Sequence, residues 1–130
     1  MAKYVFPAVF KKEEKYYIIH FPDIPGCNTE GENLHEAIEM AEDALSLMLC
    51  IFEDMHEEMP KPSDIQSVKT EDEEFVSLIA CDTLAYRMRY EPKTVKKKLT
   101  IPAWLNTAAE KAGIDFSATL HNALIAELHL

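Results

Sequence analysis

Residues 22–55 read PDIPGCNTEGENLHEAIEMAEDALSLMLCIFEDM, and the fold turns on how this stretch divides. Pro22, Pro25, Gly26 and Gly31 punctuate a loop with room for a short strand over residues 27–30. Asn33 then stands three residues before Glu36, the spacing of a capping box, in which each side chain satisfies a backbone donor of the first helical turn. The helix it opens is expected to run to about Glu57. Leu34, Ile38, Ala41, Leu45, Met48, Phe52 and Met55 recur at steps of three or four and read as the core-facing stripe. Ala44, Leu47 and Ile51 form a second stripe beside it, so the helix needs apolar cover on two sides.

Before the helix, residues 3–10 (KYVFPAVF) and 15–21 (KYYIIHF) are β-rich runs separated by the polar KKEE of residues 11–14, the pattern of a hairpin. Pro7 cannot donate to a ladder, which argues for an edge position or a bulge. After the helix, PKPSD (residues 60–64) opens a loop, and FVSLIAC (residues 75–81) reads as a buried strand. The order ββ(β)αβ predicts an α+β class: a small sandwich with one helix on one sheet face. Residues 1–81 form this domain. Residues 82–93, with Tyr86, Arg87, Arg89, Tyr90 and Pro92, read as a linker.

Charge divides the chain. Residues 1–92 hold 8 Lys/Arg against 20 Asp/Glu, a net of −12, whereas residues 93–130 hold 5 Lys against 3 Asp/Glu, a net of +2. A surface at −12 repels phosphates, so nucleic acid is a credible partner only for the tail. Cys27, Cys50 and Cys81 are odd in number and lack a CxxC, which reads as buried free thiols rather than a disulfide or zinc framework. The longest uncharged apolar run, residues 44–52, is far too short to span a membrane, and the N-terminus turns charged too early for a secretory leader. A cytoplasmic protein is expected.

The tail, residues 94–130, reads strand–helix–helix. KKLTI (residues 97–101) is the strand; Pro102 suits the start of a helix that Gly113 stops, and Ser117 is placed as the N-cap of a second helix with a Leu120, Leu124, Leu128 spine. Below about 40 residues, such a unit rarely buries enough apolar surface alone. A lone strand also lacks pairing partners. Both deficits vanish if two copies pair their strands, and a two-stranded ribbon fits the major groove of B-DNA. Parity then points Leu99 and Ile101 inward and Lys96, Lys98 and Thr100 outward.

This segment resembles the ribbon-helix-helix family of bacterial repressors over residues 95–130: LTIP before a first helix, Gly113 ending it, then Phe116 and Ser117. The resemblance implies base reading by Lys96, Lys98 and Thr100 and a phosphate anchor at Ser117, with dimerisation through the strand. Lys97 departs from the pattern, standing at an inward position where an apolar residue is common. Residues 3–81 resemble the HicB antitoxins, whose FPDLPGC-type motif is matched by Phe21, Pro22, Asp23, Ile24, Pro25, Gly26, Cys27, Thr29, Gly31, Glu36, Ala37, Ala41, Ala44 and Leu45. That resemblance implies a domain like a truncated RNase H fold without catalysis. It also implies a bacterial type II antitoxin that neutralises HicA, a small basic mRNA interferase, and represses its own operon. Gly26 and Gly31 are expected to serve turn geometry. The toxin-contacting residues stay unassigned.

Other chemistries fit less well. Asp23, Glu36, Glu39 and Asp82 could be gathered as metal-holding carboxylates, and His20, Cys27 and His35 as metal ligands, yet none stands at the spacing of a recognised site. No enzyme, metal or cofactor is expected. The alternative is a stand-alone ribbon-helix-helix repressor whose acidic domain senses a ligand or metal. Contacts through Ala44, Leu47 and Ile51 would assemble two dimers into a tetramer.

Overall fold

The computed structural model describes residues 2–91 and 93–130. It divides into two compact units, Met1–Lys93 and Thr94–Leu130.

The first unit runs β1 (Lys3–Lys12), β2 (Tyr17–His20), β3 (Asn28–Gly31), α1 (Leu34–Asp54), a 3-10 turn (Ile65–Ser67), β4 (Glu74–Asp82) and α2 (Thr83–Tyr90). The four strands form one antiparallel sheet in the order β3-β2-β1-β4. The expected α+β sandwich of one helix on a sheet is therefore present, including its short third strand. The hairpin closes where Glu13 N–H donates to Tyr16 C=O at 2.8 Å, so β1 extends through Lys11 and Lys12, which the sequence assigned to the turn. Pro7 lies on an inner strand, paired with Leu78 of β4. The β1–β2 ladder begins only at Val9, opposite His20, so at Pro7 the strand has one neighbour and the missing N–H is not needed.

The core lies between the sheet and α1: Phe6, Ala8, Phe10, Ile19, Phe21, Ile24, Ile79 and Cys81 meet Ala37, Ala41, Leu45 and Leu49. This corrects the helix stripe. Ala41 and Leu45 are buried and Met48 and Phe52 pack against the core as expected, but Leu34, Ile38 and Met55 are exposed, and Ala37 and Leu49 complete the sheet-facing row. Several overlapping apolar rows exist on this helix, and side-chain size chose among them. Gly31 approaches α1 so closely that a Cβ there would sit 2.5 Å from Ala37 N, and only small residues fit opposite. Gly31 therefore serves close approach, not turn geometry; Gly26, at φ +83°, serves the turn. The helix ends at Asp54, three residues early, where His56 takes φ +54°.

Residues 55–73 bring the chain back to the Lys12 end of the sheet, so β4 runs antiparallel to β1. The stretch read as a linker contains α2, an eight-residue helix packed on α1; Pro92 lies outside the described residues. The three cysteines are free and buried.

In the second unit, α3 (Ala103–Lys111) and α4 (Phe116–Glu127) flank a turn in which Gly113 takes φ +71°, as the stop position requires. Residues 93–102 form no ladder with any described strand of the same chain, so the expected tail strand is not formed within one copy. A ladder needs a second extended segment beside the first.

Candidate functional site

Two regions carry unusual physical chemistry. The first is the tail unit. No described residue between 94 and 130 is buried, although Leu99, Ile101, Trp104, Leu105, Phe116 and Leu124 are all large and apolar. An exposed apolar surface on this scale marks an association site. A groove within the unit is lined by Lys97, Leu99, Ile101, Phe116, Ser117 and Leu120, among others. The three alternating residues Lys97, Leu99 and Ile101 thus share one side, and Lys96, Lys98 and Thr100 are exposed outside that lining. Ser117 does not cap α4: the cap is Asp115, whose carboxylate accepts from Ala118 N–H at 3.1 Å. Ser117 is the second residue of the helix, inside the first turn, where backbone donors are left without helical partners.

The second region is the α1–α2 corner of the first unit. Arg87 of α2 reaches α1 through Nη2, which donates to Glu53 Oε1 and Cys50 C=O, each at 3.1 Å; its Nη1 pairs with Asp54 at 3.0 Å. Glu53 Oε2 accepts from Tyr4 Oη at 3.0 Å and from the buried Thr83 Oγ1 at 2.9 Å. Burial alone would raise the Glu53 carboxyl, but the hydrogen bonds it accepts, those from Thr83, Arg87 and Tyr4 among them, outweigh it and hold the group at about 2. This network fastens β1, α1 and α2 to one another. No spacing rule could reveal it, because its members lie 30 to 49 residues apart in sequence.

The carboxylates gathered from the sequence serve local structure and do not converge. Asp23 accepts from Ser63 N–H at 2.8 Å and from Ser63 Oγ, tying the FPD motif to the PKPS loop. Glu36 accepts from Glu32 N–H at 3.3 Å while Asn33 accepts from Glu36 N–H at 2.9 Å, the capping box read from the sequence. Glu39 pairs with His35 at 3.5 Å, and Asp82 caps α2. Among the described residues, no three His, Cys, Asp or Glu side chains are grouped to hold a metal ion, and His20, Cys27 and His35 do not meet. Burial pushes the Cys27 and Cys81 thiols up to about 11, which keeps them protonated and unreactive at neutral pH. No described helix is long and apolar enough to cross a membrane.

Against known proteins, residues 6–122 match the family described as HicB_like antitoxin of bacterial toxin-antitoxin system. Antitoxin HicB 2 of Photorhabdus laumondii is 31% identical over 97 residues, covering 72% of this chain and 66% of that protein. A chain of the toxin–antitoxin complex from Streptococcus pneumoniae superposes with a TM-score of 0.61 at 28% identity, covering 96% of this chain and 99% of that one. The Burkholderia pseudomallei antitoxin HicB superposes with a TM-score of 0.55 at 19% identity over 96% of this chain and 98% of its own, a likeness of fold alone.

Proposed function

The chain belongs to the HicB-like antitoxin family of bacterial toxin–antitoxin systems, and from that premise we propose that it neutralises a HicA-type mRNA interferase through residues 1–81 and represses its own operon through residues 94–130. The relative from Streptococcus pneumoniae was solved in a toxin–antitoxin complex, which supports a toxin partner. The net charge of −12 over residues 1–92 suits a basic toxin and speeds encounter with it. The order of three antiparallel strands, a helix on one face and a fourth strand beside the first supports the likeness to a truncated RNase H fold.

The observation that carries the DNA-binding half is the tail unit's lack of any buried residue. A second copy supplies the missing cover when residues 95–101 of both chains pair as an antiparallel ribbon over the helices. Leu99 and Ile101 then close on Phe116 and Leu120, and Lys96, Lys98 and Thr100 face the major groove. Lysine donates to guanine O6 and N7, and threonine touches a thymine methyl or either base type. The first-turn donors at Phe116 and Ser117 grip a phosphate. The assembly is a cytoplasmic homodimer, without cofactor or catalytic activity of its own.

Electrophoretic mobility shift on the chain's own promoter fragment tests this reading. Lys98→Ala should weaken binding by roughly 1–3 kcal/mol if it reads a base, and should leave toxin neutralisation intact. Residues 1–93 alone should keep the toxin and lose the promoter. Equal promoter binding by the truncated and full chains would sink the DNA-binding half.

A further inference from the structure

We infer that the basic partner docks on the lateral face of α1 formed by Met40, Ala44, Leu47 and Ile51; the inference rests on the antitoxin reading above and adds the surface that reading leaves open. These four residues are spaced by four, three and four, which sets them in one row along the helix. The row is neither the core row nor the side that α2 covers. Ala37, Ala41, Leu45 and Leu49 face the sheet, while α2 reaches α1 at Cys50 and Glu53. Met40, Leu47 and Ile51 are 40%, 50% and 42% exposed, and Ala44 is half-buried between them. Leu, Met and Ile in a continuous exposed row are the apolar centre of an interface that lacks its other half.

Charge selects the occupant. Helix α1 carries six Asp/Glu and no Lys or Arg. Glu36 and Asp43 flank the apolar row on the edge away from the sheet, at helix angles adjoining Met40 and Leu47, and Asp43 also lines a groove with Tyr86 and Tyr90 of α2. A second copy is a poor fit. Antiparallel two-fold packing of α1 on α1 would bring both copies' Glu36 and Asp43 to the same edge of the interface, where like charges repel. A protein with a basic rim around an apolar patch meets both features at once. The surface therefore assigns Leu47 and Ile51 as anchors and Asp43 as the steering charge.

The test titrates the full-length chain with the purified basic protein encoded by the adjacent reading frame, using calorimetry for affinity and light scattering for mass. Both anchors point to solvent, so Leu47→Arg and Ile51→Arg should fold as wild type, checked by circular dichroism, and keep the promoter shift. Each should weaken partner binding by roughly 30-fold or more, as the loss of an anchoring side chain does. Asp43→Lys, at an exposed site, should weaken it by about 2- to 5-fold and flatten its dependence on salt. Undiminished binding by both arginine variants, with wild type binding normally, overturns the inference and leaves the antitoxin reading standing. A fall in the free chain's mass with partner affinity unchanged also overturns it, because the row would then join copies of the chain. Failure of wild type itself to bind removes the antitoxin reading, and the inference with it.

Discussion

Replacing Arg87 by methionine should destabilise the first unit by about 2–4 kcal/mol. The magnitude follows from the contacts with Asp54, Glu53 and Cys50, since the Glu91 carboxylate, 3.9 Å away and 64% exposed, adds little. The Asp54 pair is worth at most about 1 kcal/mol, because Asp54 is 60% exposed and water screens it. The Glu53 pair is different: both side chains are nearly nine-tenths buried, and a charge-assisted bond there contributes about 1.5–3 kcal/mol. The Cys50 carbonyl loses its donor as well. Two features hold the cost below that of an orphaned buried ion. Tyr4 and Thr83 still solvate the Glu53 carboxylate, and methionine removes an Arg87 Nε that is buried without an acceptor among the described residues. The pH dependence carries its own sign. Glu53 is held at about 2 against an ordinary 4.5, so its contribution is fully present above pH 4.5 and fades as pH falls toward 2. The gap between wild type and Arg87→Met should accordingly narrow between pH 4.5 and 2. Urea unfolding followed by circular dichroism measures the gap, and the lone tryptophan, Trp104, reports the tail unit separately and should be unmoved. A gap below about 0.5 kcal/mol at pH 7, the range of ordinary surface changes, or one that widens in acid, would show that the network does not hold α2 to α1.

Gly31→Ala should lower the melting temperature sharply, with a cost of about 2–4 kcal/mol, since the new methyl would meet the Ala37 backbone at 2.5–2.6 Å, where no side-chain movement can relieve the contact. Asp115→Ala should cost the tail unit about 1 kcal/mol in Trp104-detected unfolding, while Ser117→Ala changes that stability by less than 0.5 kcal/mol, because Asp115 rather than Ser117 caps α4.

Local rules located most elements of this chain. Asn33 with Glu36, Pro102 with Gly113, and the polar break between two β-rich runs each act over a few residues, so the sequence alone determined that a capped helix, a hairpin and a helix pair form and roughly where. The motif of residues 21–45 also carried the family likeness that residues 6–122 match. The opposing charges of the two segments were equally plain. Three things were decided only in three dimensions. Which apolar row of α1 meets the sheet depended on how closely Gly31 approaches it, so close that a Cβ there would stand 2.5 Å from Ala37 N, a contact between elements that periodicity does not contain. Glu53, Arg87, Thr83 and Tyr4 look like ordinary surface residues until the fold brings β1, α1 and α2 to one corner. Asp23 and Ser63, 40 residues apart, become partners only because the segment after α1 turns back across the sheet. Short-range backbone preferences are written residue by residue. Contacts across tens of residues exist only once the chain has folded, and the choice among near-equivalent apolar rows falls to the one that packs without a clash.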